Sequence, residues 1–307
     1  MIQNGIHHVT AIAGPARRNL DFYTRTLGLR LVKKTVNFDD PGAYHLYYGD
    51  AAGSPGTILT FFPWENAAAG RNGVGELQET VFRVPQGALG FWTQRLMAHG
   101  LERGEHFGET LLQFRDPDGL RLALAGLPGI EAEPAWTANG IAAEHAIRGF
   151  HSVSLMLERS EATGAILSDL FGFESAAREG DTVRYQVPGQ ALGGIVDLRA
   201  VGGFLPARLG HGSVHHLAFR AADDAAQQAM VRRLAENHRI QATEQKDRDY
   251  FRSVYFREPG HVLFEIATDS PGFAVDEPAE QLGQALKLPR FLQPHRDTIE
   301  AALPALA

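Results

Sequence analysis

The sequence predicts an α+β fold built from four βαβββ units paired into two cupped, barrel-like sheets. Three observations predict it. One order of strand and helix signals runs four times along the chain, and two units close on the same kind of Pro-containing hairpin. Histidine doublets also stand at the same place in the first and fourth units.

The first unit opens with a strand over Ile6–Ala13, followed by a helix from about Ala16 to Leu27 and strands near Leu29–Phe38, Tyr44–Tyr48 and Thr57–Pro63. The second has Glu76–Val84, a helix near Gly87–His99, and strands near Thr110–Phe114 and Leu120–Ala125. The third runs from Arg148–Leu157 through a helix at Ser160–Leu170 to strands near Phe173–Ala177, Thr182–Val187 and Gly194–Arg199. The fourth has Ser213–Arg220, a helix near Ala222–Asn237, and strands near Gln241–Glu244, Tyr250–Phe256 and Val262–Thr268. Apolar residues at three- and four-residue spacing, such as Ala226, Met230 and Leu234, mark the helices. Gly28, Gly100 and Gly172 supply left-handed stops. Alternation and β-branched or aromatic enrichment mark the strands. The hairpins Arg115-Asp116-Pro117-Asp118-Gly119 and Arg257-Glu258-Pro259-Gly260-His261 recur at matching places. Gly126–Ile147, rich in Ala, Pro, Gly and Glu, reads as a linker centred near residue 137. The chain thus divides into an N-terminal pair of units over 1–137 and a C-terminal pair over 138–307. The latter ends in a Pro-punctuated tail with a helical stretch near Glu280–Lys287, suited to packing over a domain or a neighbouring subunit.

At 307 residues, 44% hydrophobic and 21% charged, the chain is long enough for a packed core without staples. A formal charge of −7 with no basic run argues against nucleic acid as a partner. No stretch approaches the roughly 18 apolar residues that cross a membrane, and the N-terminal residues show no secretory pattern. There are no cysteines, which fits a cytoplasmic protein and leaves only His and carboxylate to build a metal site. A homo-oligomer is expected.

A cupped sheet leaves its inner face for a ligand, and the histidines point there. In a strand, neighbouring side chains face opposite ways, so each doublet, His7-His8 and His215-His216, sends one imidazole inward. Val9, Ala11, Leu217 and Phe219 define the apolar, helix-covered face, so the alternation predicts His8 and His216 in the cup and His7 and His215 on the apolar register. Glu265 is the one carboxylate in Val262-Leu263-Phe264-Glu265-Ile266-Ala267, where a buried acid needs a cation or a proton. Six residues after Pro117, the matching place in unit two, stands Ala123. Two His and one carboxylate with open positions form the facial triad of non-haem Fe(II) oxygenases. His151 is a rival ligand, but its strand continues as Val153, Leu155 and Leu157, which places it on the helix-covered register. Tyr255, ten residues before Glu265, has the parity to look into the cup, and Arg248 lies just before its strand. A phenol and a guanidinium there can hydrogen-bond a substrate oxygen or superoxide.

The four units with His…His…Glu resemble the vicinal oxygen chelate superfamily, whose fold is the glyoxalase/bleomycin-resistance/extradiol dioxygenase type. HHVTAIAG, TVNFDDPGAYHLYYGD, PGTILTFFPW and VHHLAFRA…RDYFRSVYFREPGHVLFEIATDSPGF resemble hydroquinone ring-cleaving dioxygenases, and the likeness covers nearly the whole chain. It implies iron ligands at His8, His216 and Glu265, and substrate-contacting or supporting roles at His7, Thr10, His215, Arg248 and Tyr255. The catechol extradiol enzymes carry Pro-x-Gly before the glutamate and take their first histidine from unit three. Here the run is Pro259-Gly260-His261, and the site joins units one and four, which should share one barrel.

The expected activity is therefore that of an Fe(II)-dependent dioxygenase, with Mn(II) as the other candidate ion. It would open hydroquinone-type rings, chlorinated or alkylated ones among them, with O2, holding both reactants on one metal. The alternatives are a glyoxalase-like isomerase or lyase, which would add a fourth protein ligand, and a non-catalytic binding protein of the same superfamily.

Overall fold

The computed structural model of the protein describes residues 4–306, so the first three residues of the stretch read for a secretory leader lie outside it. Unit one comprises β1 (Ile6–Ala13), α1 (Ala16–Asp21), β2 (Arg30–Asn37), β3 (Asp40–Gly49) and β4 (Ile58–Pro63). In it, α1 continues as a π-helical segment over Phe22–Thr26. Unit two comprises β5 (Glu76–Pro85), α2 (Leu89–Arg95), β6 (Glu102–His106), β7 (Glu109–Arg115) and β8 (Arg121–Leu127). Unit three comprises β9 (Phe150–Leu157), α3 (Glu161–Phe171), β10 (Glu174–Glu179), β11 (Thr182–Gln186) and β12 (Ile195–Ala200). Unit four comprises β13 (Ser213–Ala221), α4 (Asp224–His238), β14 (Lys246–Asp247), β15 (Arg252–Arg257) and β16 (Leu263–Thr268), and α5 (Arg296–Ala302) follows.

The strands form two eight-stranded sheets, ordered β14-β15-β16-β13-β1-β4-β3-β2 and β10-β11-β12-β9-β5-β8-β7-β6. Units one and four share the first sheet, and units two and three the second. Each sheet curls until its two edges meet through ion pairs. In the first, Arg248 and Lys246 after and on β14 reach Asp39 in the β2–β3 turn at 2.9 and 3.9 Å. In the second, His106 on β6 reaches Glu179 on β10 at 2.6 Å. The outer faces of both sheets and helices α1 to α4 share one apolar core, including Val9, Phe61, Phe82, Phe150, Leu217 and Phe219. Phe171 of α3 stacks on Phe219 of β13 at 4.1 Å, so the two halves are packed into one body.

The repeated hairpins have one physical cause. Asp116 accepts the backbone N–H groups of Asp118 and Leu120, and Glu258 accepts those of Gly260 and Val262. Each buried acid thus satisfies its own turn.

Two local expectations are corrected. Gln241–Glu244 forms no strand, because the Thr243 hydroxyl stands in for a backbone acceptor and takes the Tyr255 N–H at 3.0 Å. Glu280–Lys287 forms no helix beyond a turn at Ala279–Gln281. Gly283 has φ +78°, and a Cβ there would lie 2.0 Å from the Leu31 carbonyl, so the chain turns and Leu286 bridges Lys34 instead. The tail's helix is α5, and Leu288, Leu292, Ile299 and Leu303 pack it on Val36.

Both sheets carry paired bulges on their central strands. Between β1 and β13, Ile6 faces Phe219 and His8 faces Ala218, which leaves His7 as an extra residue; Thr10 faces His216 and Ala11 faces Val214, which leaves His215 extra. Between β5 and β9, Gln78 and His151 are the extra residues.

The inner face of the second sheet is neutralised from within. Asp197 is bridged twice by Arg184, at 2.8 and 2.9 Å, and Arg184 also reaches Glu109 at 2.8 Å. Burial raises the Glu109 carboxyl, but His151 and Arg184 outweigh it and hold it at about 2. An acid depressed in this way stabilises the fold above its unfolded value of about 4.3 and loses that contribution as the pH falls towards 2. Arg184→Met is expected to cost about 3–5 kcal/mol by stranding Asp197. It should also move the acid-unfolding midpoint upward, both measured by circular dichroism.

Candidate metal centre

The first cup is built by the bulges. A bulge lets two successive side chains share a face, so both members of each doublet lie on the inner side. Ile6 and Val9, and likewise Val214 and Leu217, belong to the helix-covered core, three residues apart where unbroken alternation allows two. The expectation that His7 and His215 fall on the apolar register is thus corrected. His7 lies 5.2 Å from the Phe251 ring and His215 5.7 Å from the Phe62 ring, and both phenylalanines line the cup. The same correction applies to His151. It too is the extra residue of a bulge and faces the second cup, bonded to Glu109 and Ser152 at 3.0 Å each.

His8 from β1, His216 from β13 and Glu265 from β16 converge. The Nε2 atoms of His8 and His216 are 3.2 Å apart, and each faces Glu265 Oε2, at 3.4 and 2.9 Å respectively. All three residues are buried, and Glu265 is 0% exposed. Its Oε1 accepts the Ser253 hydroxyl, but Oε2 has no hydrogen-bond partner despite the nearby imidazoles. Three lone-pair atoms therefore aim at one point. Separations near 3 Å are those of adjacent ligands on an octahedral ion with bonds of roughly 2.0–2.2 Å. The donor set fits a divalent cation.

The doublets orient these ligands. His7 Nδ1 lies 2.9 Å from His8 Nδ1, and His215 Nδ1 lies 2.8 Å from His216 Nδ1. Each pair leaves the inner imidazole's Nε2 lone pair free for the centre. Burial depresses both outer imidazoles, and His215 falls to about 3, so they stay neutral near pH 7. Burial pushes Glu265 up, and only positive charge beside it, on the two imidazoles or on an ion between them, holds the carboxyl well below the usual range.

Tyr255 on β15 is the cross-strand partner of Glu265 and lines the cup. Burial, then the Glu265 charge, raises its phenol well above the ordinary value. Arg248 sits 5.8 Å from the Tyr255 ring, lines the cup and holds Asp39. Burial alone would lower its guanidinium, but Tyr255 and Asp39 raise it, so it stays cationic. Thr10 is buried on β1 and lies one step back, its hydroxyl 3.0 Å from that of Thr60.

The cup also contains Asn37, Phe38, His45, Tyr47, Phe62 and Phe251, which the sequence reading did not single out. One signal was available for Tyr47: it pairs with Thr60 as Tyr255 pairs with Glu265, so it holds the matching place in unit one.

The second cup, a cavity of about 340 Å³, is larger but does not repeat this chemistry. Asp197 faces Ser154, two residues past Ser152, as Glu265 faces Ala218, two past His216. Its cross-strand partner is Arg184, where Glu265 has Tyr255. One buried acid has its cation built in, and the other does not. Among the described residues no helix is long and apolar enough to cross a membrane.

Comparison with known proteins agrees with this fold. The sequence model of the Glyoxalase/Bleomycin resistance protein/Dioxygenase superfamily matches residues 5–124. The chain is 46% identical to the "Putative ring-cleaving dioxygenase MhqO" of Bacillus subtilis, over 97% of this chain and 95% of that one. It is 34% identical to the "Chlorohydroquinone/hydroquinone 1,2-dioxygenase" of Sphingobium indicum, over 96% and 94% respectively. A crystal structure of a "putative dioxygenase" from B. subtilis superposes with a TM-score of 0.94 at 45% identity, covering 99% of this chain and 97% of that one. Glyoxalase I from Zea mays, at 11% identity, has a TM-score of 0.65 over 87% and 93%, a likeness of fold alone.

Proposed function

The chain belongs to the glyoxalase/bleomycin resistance protein/dioxygenase superfamily, and on that premise we propose an Fe(II)-dependent dioxygenase that opens hydroquinone-type rings with O2. The observation that carries the reading is Glu265 Oε2, fully buried, without a hydrogen-bond partner and aimed with two imidazole nitrogens at one point. The hydroxylated aromatic class follows the names of the relatives, one of which is a chlorohydroquinone/hydroquinone enzyme. The cytoplasm is the compartment we propose, on the absence of cysteine.

His8, His216 and Glu265 would hold the ion. When bound, Fe(II) supplies a Lewis acid for a substrate phenolate and a redox partner for dioxygen, and Mn(II) suits the same donors. The chain does the rest. Phe38, Phe62 and Phe251 give the ring apolar walls and keep water away. Arg248, cationic at all ordinary pH, favours the ionised phenol. His215, neutral and 2.8 Å from His216, holds that imidazole in the orientation the centre needs. Tyr255 keeps its own proton and can donate it as a hydrogen bond to an oxygen that gains charge. Cleavage beside the hydroxyl-bearing carbon, the extradiol-type outcome, needs that charge placed at this end of the ring.

Iron content after anaerobic loading tests the ligands. Wild type should carry about one iron per chain, and His216→Ala and Glu265→Ala close to none. His7→Ala and His215→Ala should weaken binding about 10–100-fold, whereas His151→Ala should leave it unchanged.

Tyr255→Phe should keep its iron and lose about 10²–10⁴ in kcat. Oxygen uptake should be faster with hydroquinone, chlorohydroquinone and methylhydroquinone than with catechol. A preference for catechol, or full activity without metal, contradicts the reading.

A further inference from the structure

We propose that Tyr47 recognises the second, distal hydroxyl of the ring, with His45 as the residue that positions it. The assignment rests on the hydroquinone reading above and names the part of the cup that selects a para-diphenol.

A para-diphenol carries its two oxygens at opposite ends of the ring. With one oxygen at the triad on β1, β13 and β16, and Tyr255 and Arg248 taking the β15 side of the cup, the polar side chains left for the other oxygen lie on β2 and β3. The apolar rings of Phe62 and Phe251 cannot satisfy a buried hydroxyl, which needs a partner. Apart from the triad, the histidines His7 and His215 behind it and the Tyr255–Arg248 pair, three polar side chains line the cup: Asn37, His45 and Tyr47. Asn37 holds its own turn, its side-chain carbonyl taking the Asp39 N–H at 3.0 Å, and it has only amide N–H groups to offer beside that, whereas a phenol can both give and take. Both ring nitrogens of His45 are also engaged, Nδ1 with the Tyr47 hydroxyl at 2.8 Å and Nε2 with the Thr60 hydroxyl at 2.7 Å. A hydroxyl donates once and accepts twice, so Tyr47 retains capacity after bonding to His45.

The chain Tyr47–His45–Thr60–Thr10 also fixes the direction of that capacity. His45 is clamped between the Tyr47 and Phe62 rings, at 4.0 and 4.3 Å. Thr60 passes the chain on to Thr10 at 3.0 Å. Its hydrogens can run either way, so Tyr47 can accept from the ligand or donate to it. The repeat supports the assignment. Tyr47 on β3 and Tyr255 on β15 occupy matching places, each opposite an inner polar residue on the neighbouring strand. The two phenols serve the two ends of one ring.

The test is binding without turnover. Dissociation constants of hydroquinone and 4-methylphenol are measured on the anaerobic iron-loaded protein, with oxygen uptake on hydroquinone measured separately. Wild type should prefer hydroquinone about tenfold, and Tyr47→Phe should remove that preference while 4-methylphenol binds as before. His45→Phe should act in the same direction and add nothing in the Tyr47→Phe background, as expected of a positioning residue. If wild type opens hydroquinone but Tyr47→Phe keeps the preference, or Asn37→Ala is the variant that loses it, the assignment is overturned and the proposed reaction stands. A wild type that neither binds nor opens hydroquinone overturns the reaction and the assignment with it.

Discussion

A fully buried carboxylate with no cation of its own is the constraint around which the molecule is organised. Removing an ionised acid from water costs several kcal/mol unless a charge meets it. Glu265 is 0% exposed, and the residue across the strand from it is a tyrosine. The same place in the second cup pairs Asp197 with Arg184, so the protein contains both solutions to one problem. Where the guanidinium is present the cup is a closed ionic network. Where it is absent, two imidazole nitrogens and the acid aim at one common point, and the donor set suits an ion from outside.

The curl of the sheet and its bulges make this arrangement reachable. Pairing unit one with unit four brings β1 beside β13, so ligands from the two ends of the chain meet. Each bulge then puts a second imidazole directly behind the first, close enough to set its tautomer. Arg248 serves two purposes at once: it closes the sheet edge on Asp39 and lays a positive charge over Tyr255. The tail finishes the unit-one wall, where Lys33, itself buried, reaches Asp276 and Glu277.

The order of elements and the triad were legible in the sequence because they are local or repeated. Alternation marks each strand, and the contrast between Glu265 and Ala123 needs only the hairpin repeat. The faces of His7, His215 and His151 were not legible, because a bulge is fixed by pairing with a distant strand and leaves no mark in composition. His45 and Tyr47 were missed for a related reason: a histidine and a tyrosine in a strand look structural until the curl turns their face inward. The end of the helix expected at Glu280–Lys287 depends on how close Gly283 comes to Leu31, a contact that exists only in the packed tail.

The central claim is that the triad activates dioxygen against an aromatic ring. Mass spectrometry of the hydroquinone product formed under 18O2 by the iron-loaded protein tests it most directly. The account predicts a ring-opened product carrying both labelled atoms. A ring-opened product without label, or a fully labelled one formed by metal-free protein, would contradict it.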